Sequence, residues 1–315
     1  MNLNAYFYLC RLIIVKLSAR LTTIRQNYQL QTQLIDESFA VSNADVYNLY
    51  IAASKHTFRF GIEDTIRHKF VALEDYVLAN VFTPIQLVQQ LRTLLTDHAF
   101  YSTVRWHQVR VAVKNQKFTF LPGMLYDAKE AATYLQLHAE LDENDDQVLA
   151  YRHQGTDMVN VFAMEHYFES LLIELFHAGK IQIRHQTSVL IESLLHLTER
   201  SPQLKMYAYL EQNYLTLILL KDGNLEFCNV FYYLSPEDFI YFVIFVMQEH
   251  KLNPDQDPLL IWGDILHDSD LFDILRKYVR HVHLGKRPSG LSYSYKFEEQ
   301  FEHRYLELFS LHFCE

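Results

Sequence analysis

Asp142, Asn144 and Asp146 have the spacing of the first three oxygen ligands of a calcium loop. Such a loop binds Ca²⁺ through positions 1, 3 and 5, and it also needs a glycine at position 6 and a bidentate glutamate at position 12. This sequence has Gln147 and His153 at those two positions. We therefore interpret the segment as a solvated acidic turn.

His281 and His283 form a second candidate for metal chemistry. Alternate residues of a strand point to one face, and two histidines on one face are a common start of a metal site. His267, Asp268 and Asp270 precede them, but the sequence assigns no third ligand. With 16 histidines in the chain, such pairs are expected by chance, and we predict no metal site.

A basic segment without acidic residues is a third candidate, and it contains Arg276, Lys277, Arg280, Lys286 and Arg287. It could bind an anion, an acidic partner or RNA. The first two residues are equally explained by the favourable interaction of cations with the C-terminal end of a helix. Both interpretations stay open at the level of sequence.

Cys10, Cys228 and Cys314 are distant from one another and lack metal-finger spacing, which argues against a disulfide framework and a structural zinc site. A reducing compartment, the cytoplasm, is predicted. Sequence fingerprints of serine hydrolases, zinc proteases, P-loop enzymes and dinucleotide-binding enzymes are absent. We predict no conventional catalytic residues.

The overall composition bounds the function further. The net charge of −10 argues against a nucleic-acid partner, because binding phosphates requires many clustered Lys and Arg. The longest apolar run, residues 239–247, is about half of what spans a bilayer, so we predict a soluble protein without stable membrane insertion.

The first 35 residues carry Arg11, Lys16, Arg20 and Arg25 and no acidic residue. Arg11 interrupts the apolar segment, so a secretory signal is not predicted. A membrane-surface helix is one interpretation. The other, which we adopt, is a peripheral extension covering residues 1–44.

A three-stranded pattern occurs twice in the rest of the chain. Alternating apolar residues predict strands at 47–53, 57–63 and 68–73, and again at 205–211, 214–220 and 225–231. Asp222-Gly223 is a strong hairpin signal in the second set. Thr83 and Ser235 each begin a predicted helix soon after the strands, and another predicted helix ends at Gly179.

Each half then continues with a strand and a helix, so the order is βββαβα in both. This predicts an α/β protein of two tandem ribonuclease-H-like domains with a cleft between them, the topology of the actin-like ATPase fold. We assign residues 45–165 to the first domain and 166–315, with a C-terminal tail, to the second.

Four segments carry a resemblance to a known family: FTFLPGMLY, NVFYYLSPEDFIYFVIFVMQEHKL, LLIWGDI and RYLELFSLHFCE. From about residue 46 to residue 315 the chain resembles the bacterial domain of unknown function 3822 family. The resemblance implies an actin-like ATPase fold and no assigned activity. Residues 161–197 are also similar to the domain-joining stretch of pilus-assembly and division relatives, which often act as cytoplasmic scaffolds.

In actin-like ATPases an Asp-x-Gly in the first strand of each domain organises hydrated magnesium and lets backbone N–H groups approach phosphate. The positions that match are Ala52 and Ser54 in the first hairpin, and Tyr209 and Glu211 in the second. Neither pair retains the pattern. A carboxylate at Glu211 would repel phosphate in a closed cleft.

The adenosine-contacting Gly-Gly of that superfamily corresponds to Gly263-Asp264. We therefore predict a non-catalytic scaffold that binds a protein partner, with no ATP cofactor. The alternative is a nucleotide-binding or phosphotransfer enzyme with a non-standard site. Its cleft residues would be Ser54, Lys55, Glu211, Gly263 and Asp264.

Overall fold

Strands and helices alternate along the chain, and the computed structural model describes residues 28–98, 105–178, 181–198 and 200–314. In chain order the strands are β1 (Tyr28–Ile35), β2 (Tyr47–Ala53), β3 (Thr57–Asp64), β4 (Lys69–Leu78), β5 (Arg105–Trp106), β6 (Gln108–Val113), β7 (Phe118–Pro122), β8 (Asp146–Arg152), β9 (Met158–Glu165), β10 (His177–Ala178), β11 (Ile181–His185), β12 (Lys205–Glu211), β13 (Tyr214–Lys221), β14 (Asn224–Tyr232), β15 (Leu259–Gly263), β16 (Val282–Leu284) and β17 (Ser292–Tyr293). The α-helices are α1 (Pro84–Asp97), α2 (Ala131–Gln136), α3 (His166–Leu175), α4 (Gln186–Leu197), α5 (Pro236–Glu249), α6 (Asp270–Tyr278) and α7 (Leu306–Ser310).

Two sheets share one strand order. The first contains β4-β3-β2-β6-β11 and the second β14-β13-β12-β15-β16. In each, three antiparallel strands are followed by two parallel ones. Parallel neighbours need a crossover connection, which α1 and α5 provide. The predicted α/β class and its internal duplication are confirmed.

A smaller sheet of order β7-β9-β8 is inserted between β6 and α3. It has its own hydrophobic cluster, in which Leu135 of α2 packs against Val159, Val161 and Ala163 of β9. Because β9 is the central strand and the sheet has only three strands, β7 and β8 are both edge strands.

Local sequence signals place the turns and helix starts correctly. Asp222 and Gly223 have positive φ values of 53° and 77°, as a tight hairpin between β13 and β14 requires. The Ser235 side chain accepts a hydrogen bond from the Asp238 backbone N–H, and the Asp238 carboxylate accepts one from the Ser235 backbone N–H. Thr83 begins α1 with the same kind of capping box.

The second predicted domain boundary is corrected by strand pairing. Residues 181–185 form β11, which is parallel to β6 of the first sheet, whereas we assigned everything after residue 165 to the second domain. The helix predicted to end at Gly179 ends at Leu175, because Phe176 is extended and buried against the first core. Gly179 itself lies outside the described residues.

The predicted extension of residues 1–44 also contains a strand. Residues 28–35 form β1, which pairs antiparallel with β4, so this part belongs to the first sheet. The pairing was not visible in the sequence because β1 reads YQLQTQLI, with alternate polar residues that are exposed on one face. The four basic residues of the extension lie outside the described residues.

The C-terminal segment returns to the first sheet. Phe297, Tyr305, Leu308 and Phe309 are buried in one cluster with residues of β2, β4 and β6. Helix α4 lies between the two sheets, because Val189 belongs to this cluster and its neighbours Leu190, Ile191 and Leu194 pack with the second sheet. The two halves are thus joined by α4 and by the tail.

The apolar run at residues 239–247 lies within α5, a helix of 14 residues. Its Phe239 and Val243 are fully buried on the second sheet, while Tyr241 and Phe245 are exposed. Within the described ranges, no helix is long and apolar enough to cross a membrane.

Replacing Leu308 by alanine tests whether the tail is a true part of the first core. Leu308 is 1% exposed, and it lies where a β carbon on Gly61 would come within 3.2 Å of it. We expect Leu308→Ala to lower the free energy of unfolding by about 2–5 kcal/mol in urea denaturation. The matched control is Leu137→Ala, which removes the same atoms from a side chain that is 76% exposed. Equal effects of the two changes would contradict this role of the tail.

Candidate functional site

The first hairpin tip of the cleft is held by its own hydrogen bonds. Ser54 follows β2 and is buried, and its Oγ lies 2.9 Å from the Thr57 Oγ1. The same Oγ accepts hydrogen bonds from the backbone N–H groups of His56 and Thr57. Lys55 is exposed and takes no part in these contacts. The Ser54 hydroxyl therefore stabilises the turn.

Glu211, at the end of β12, is the centre of the second hairpin tip. It is 3% exposed, and its carboxylate accepts hydrogen bonds from Thr57 Oγ1 at 2.5 Å, Lys114 Nζ at 3.0 Å and Gln186 Nε2 at 2.8 Å. Burial alone would raise the pKa of Glu211, but the charges of Lys114 and Arg59 outweigh it and lower the pKa to about 2. Glu211 is therefore an anion at neutral pH.

Arg59 joins the two halves of the protein through a buried guanidinium. Its Nε lies 3.1 Å from Asp75 Oδ1 in β4, and its Nη2 lies 3.0 Å from Asp264 Oδ2 after β15. A third carboxylate, Glu211, is 3.9 Å from Nη1. Burial opposes the charge, but these carboxylates raise the pKa of Arg59 well above its ordinary value.

Gly263 can only be a glycine in this fold. Its φ is +99°, and a β carbon there would lie 1.8 Å from the Leu210 carbonyl oxygen. Its backbone N–H donates to the carbonyl of His303 at 2.8 Å, so this N–H already has a hydrogen-bond partner in the C-terminal tail. The next N–H, that of Asp264, donates to the Leu210 carbonyl at 2.8 Å.

The tail adds more groups to the same region. Arg304 lies 3.6 Å from Asp264 and 3.8 Å from Asp75. The Tyr305 hydroxyl is 3.2 Å from Asp75 Oδ2. Together these contacts cover the carboxylates that already bind Arg59.

Glu307 is a buried carboxyl with no cation in hydrogen-bonding range among the described residues. It accepts a hydrogen bond from the Tyr209 hydroxyl at 3.3 Å. Burial and then the nearby charge of Glu211 raise the pKa of Glu307 to about 7. The two glutamates thus differ because Glu211 has the cations and Glu307 does not.

The structure brings most of the predicted cleft residues together. Glu211 and Asp264 contact the same guanidinium, Gly263 adjoins Asp264, and Ser54 reaches Glu211 through Thr57. Lys55 is exposed and lies outside this group of residues. The side chains that hold the site were not predicted from the sequence, and they are Arg59, Asp75, Lys114, Gln186 and Glu307. Charged residues inside the otherwise apolar strands TFRFGIED and KFVALEDYVL were the signal for two of them.

The other candidates lie elsewhere. His281 and His283 are both exposed, and the described part of the chain has no group of three or more His, Cys, Asp or Glu arranged to hold a metal. In the basic segment, Arg287 donates to the carbonyls of Phe297 and Gln300, so it fixes the tail. Arg276 and Lys277 lie in the last turn of α6, as the helix-end interpretation expects.

Comparisons with known proteins agree with this architecture. The model of a family described as "Protein of unknown function (DUF3822)" matches residues 36–282, which confirms the resemblance read from the sequence. A search of curated proteins gave no match. The solved structure of a Bacteroides thetaiotaomicron VPI-5482 protein with an actin-like ATPase fold and unknown function is 19% identical, with a TM-score of 0.72, over 88% of this chain and 99% of that one.

A second similar structure is a PilM-PilN type IV pilus biogenesis complex. It is 14% identical, with a TM-score of 0.54, over 85% of this chain and 98% of that one. At such identities the similarities establish the fold alone, which is the actin-like ATPase fold.

Glu211→Gln tests the importance of the buried ion-pair network. The change keeps the shape but leaves Lys114 and Arg59 with an uncompensated charge in the interior, so we expect the free energy of unfolding to fall by about 3 kcal/mol or more in urea denaturation. Glu143→Gln, at an exposed turn position, is the control and should change it by less than about 0.5 kcal/mol. A loss as small as that of the control would contradict the role of the network.

Glu307→Gln should change how stability depends on pH. The pKa of Glu307 is about 7 in the folded protein against 4.5 for an ordinary glutamate, so its contribution is complete below pH 4.5 and is lost as pH rises through 7. The variant should therefore gain stability relative to the wild type between pH 5 and pH 8. Buried histidines with lowered pKa values, such as His185, act in the opposite direction, so the measured quantity is the difference between variant and wild type in urea denaturation at each pH. A difference that does not vary with pH would contradict this assignment.

Proposed function

The chain belongs to the DUF3822 family, and from the chemistry of its cleft we propose that it is a non-catalytic actin-like protein that binds a partner protein in the cytoplasm. The single observation that carries the proposal is the buried network around Arg59 and Glu211. In an actin-like ATPase, phosphate groups lie between the two hairpins. Here protein side chains bind one another in that space.

The charges in the cleft argue against a phosphate ligand. Arg59, Lys114 and Arg304 are its cations, and each already contacts a carboxylate. When Glu307 is protonated, the carboxylates of Asp75, Glu211 and Asp264 balance these three cations, so the buried network has no net positive charge to attract a triphosphate. A nucleotide would have to break buried ion pairs and then approach the same carboxylates.

The backbone N–H groups near the hairpin tips also argue against a phosphate ligand. Phosphate binding needs free N–H groups at the hairpin tips. The N–H of Thr57 is bound by the Ser54 hydroxyl, and those of Gly263 and Asp264 are bound by main-chain carbonyls. The Tyr209 side chain fills the matching position in the second hairpin and is 2% exposed.

Two observations support a protein partner. The exposed face of α5 carries Tyr241 and Phe245, whose ring centroids are 5.9 Å apart in a stacked arrangement. Exposed aromatic clusters of this kind are typical of interaction surfaces. PilM, a structural relative, was solved in a complex with PilN.

The alternative is a nucleotide-binding or phosphotransfer enzyme that uses Ser54, Lys55, Glu211 and Asp264. Its chemistry would require a hydroxyl or a cation that is free to meet phosphate. The Ser54 hydroxyl is bound within its turn, whereas Lys55 is exposed and is the one of these four residues that has a cation outside the network. Thermal unfolding in the presence of nucleotides distinguishes the two hypotheses.

Thermal unfolding in millimolar Mg-ATP, Mg-ADP and Mg-GTP tests the proposal. We expect no change in melting temperature, whereas a ligand at 100 times its dissociation constant would stabilise the fold by about 2.7 kcal/mol. An ATP-binding actin-like protein serves as the positive control for the nucleotide stocks.

A nucleotide-dependent shift that Asp264→Asn abolishes and Asp255→Asn preserves would overturn the proposal. Asp255 is an exposed loop residue outside the network and controls for the loss of one negative charge.

A further inference from the structure

Two edge strands from different sheets face a common groove. β7 is an edge of the three-stranded sheet, and β14 is an edge of the second large sheet. Both line a groove of about 530 Å³, to which β7 contributes residues 118–120 and β14 contributes residues 225–230. The groove is distinct from the cleft network, with which it shares no lining residue.

Within the described part of the chain neither strand has a partner strand on its outward edge, and in β14 the N–H of Val230 donates to the Asn229 Oδ1 at 2.8 Å. Such an edge presents a row of N–H and C=O groups that can add another strand. Proteins usually protect an edge with lysine, proline or a bulge. β7 has a proline only at its last position, Pro122. β14 contains neither lysine nor proline, and its bulge, at Glu226, leaves residues 227–232 regularly paired with β13.

The floor of the groove is apolar and continuous from one strand to the other. Phe120 of β7 and Leu225 and Cys228 of β14 pack on the same buried cluster beneath. Phe118 and Phe227 are half-buried at its sides. A strand in the groove could therefore bury alternate apolar side chains against this floor while its backbone pairs with the edges.

The lengths of β7 and β14 limit the length of a segment that can pair with both strands. β7 has five residues and the regular part of β14 has six. At about 3.3 Å per residue, these edges match an extended segment of roughly 17–20 Å, or five to six residues. This size fits a short linear segment and is too small for a folded domain.

The charge of the groove selects among such segments. Among the residues that line the groove, Glu226 carries a negative charge. At His138 the groove continues into a shallower depression that contains Glu140. Both glutamates are exposed, and neither forms an ion pair with a described residue. No Lys or Arg lines either part. An acidic segment would be repelled and a basic one attracted.

We propose that an extended, apolar and basic segment of a partner protein adds as a strand between β7 and β14, joining the three-stranded sheet to the second large sheet. The inference rests on the proposed scaffold function, for which it supplies a binding site and the chemical class of the partner segment. It does not depend on the state of the interdomain cleft.

The test uses the full chain and a synthetic probe, a nine-residue capped peptide in which lysine and threonine alternate with valine. Fluorescence polarisation of a labelled peptide should give saturable binding, and hydrogen exchange should slow in residues 118–121 and 224–232. The same peptide with alternate backbone amides N-methylated should bind at least about tenfold more weakly, because it cannot donate hydrogen bonds to one of the two strand edges.

Glu226→Lys should weaken binding of the basic peptide by about threefold to tenfold, since it reverses an exposed charge at the groove. Asp255→Lys, the same charge reversal away from the groove, is the matched control and should leave binding unchanged. A peptide with glutamate in place of lysine should not bind the wild type and should gain affinity for the Glu226→Lys variant.

Several results would overturn the proposal. These are the absence of binding at millimolar peptide, equal binding of the N-methylated peptide, and equal effects of the two lysine variants. Strong protection of both edges before peptide is added would mean that a segment of the chain itself fills the groove. A dimer that dissociates on adding peptide, measured by light scattering, would assign the groove to a second copy.

The two proposals can fail separately. If the peptide does not bind and nucleotides do not shift the melting temperature, the proposal about the groove is refuted and the proposal of a non-catalytic cleft is retained. A nucleotide-induced shift in melting temperature would refute the proposal of a non-catalytic cleft, whether or not the peptide binds.

Discussion

The buried guanidinium of Arg59 is the interaction on which the arrangement of the two halves depends. A cation can remain in the interior only if carboxylates surround it, and here one comes from the first sheet and two from the second half. Lys114 then completes the balance around Glu211. Each of these charges would be costly alone, so the groups are stable only when both halves are in contact.

Much of the fold could be predicted because its signals are local. The hairpin at Asp222-Gly223 and the capping boxes at Thr83 and Ser235 depend on residues a few positions apart. The repeated strand pattern then indicated the duplication. The places of β1 and β11 were not predictable, because they depend on pairing with distant strands, and the sequence of an edge strand does not state its partner.

The site was predictable only in part for a similar reason. Alignment of the two hairpins with the actin-like pattern found Glu211 and Asp264, but it could not find the groups that neutralise them. Arg59 and Asp75 lie in strands where alternation normally directs a charged residue to solvent. Here both faces of the sheet are covered, one by the first core and the other by the tail, so the same alternation directs them into the cleft.

The return of the tail to the first sheet sets a condition on synthesis of the protein. Tyr305 contacts Thr32 across a sequence separation of 273 residues, and the tail covers a whole face of the sheet that β2 and β4 begin. At translation rates of 5–20 residues per second, synthesis of the 273 residues from Thr32 to Tyr305 takes about 14–55 s, during which this face is not covered by the tail. A nascent or prematurely terminated chain therefore exposes apolar strands. The N-terminal half is consequently expected to depend on chaperones until residues 297–311 have left the ribosome and can pack on the first sheet.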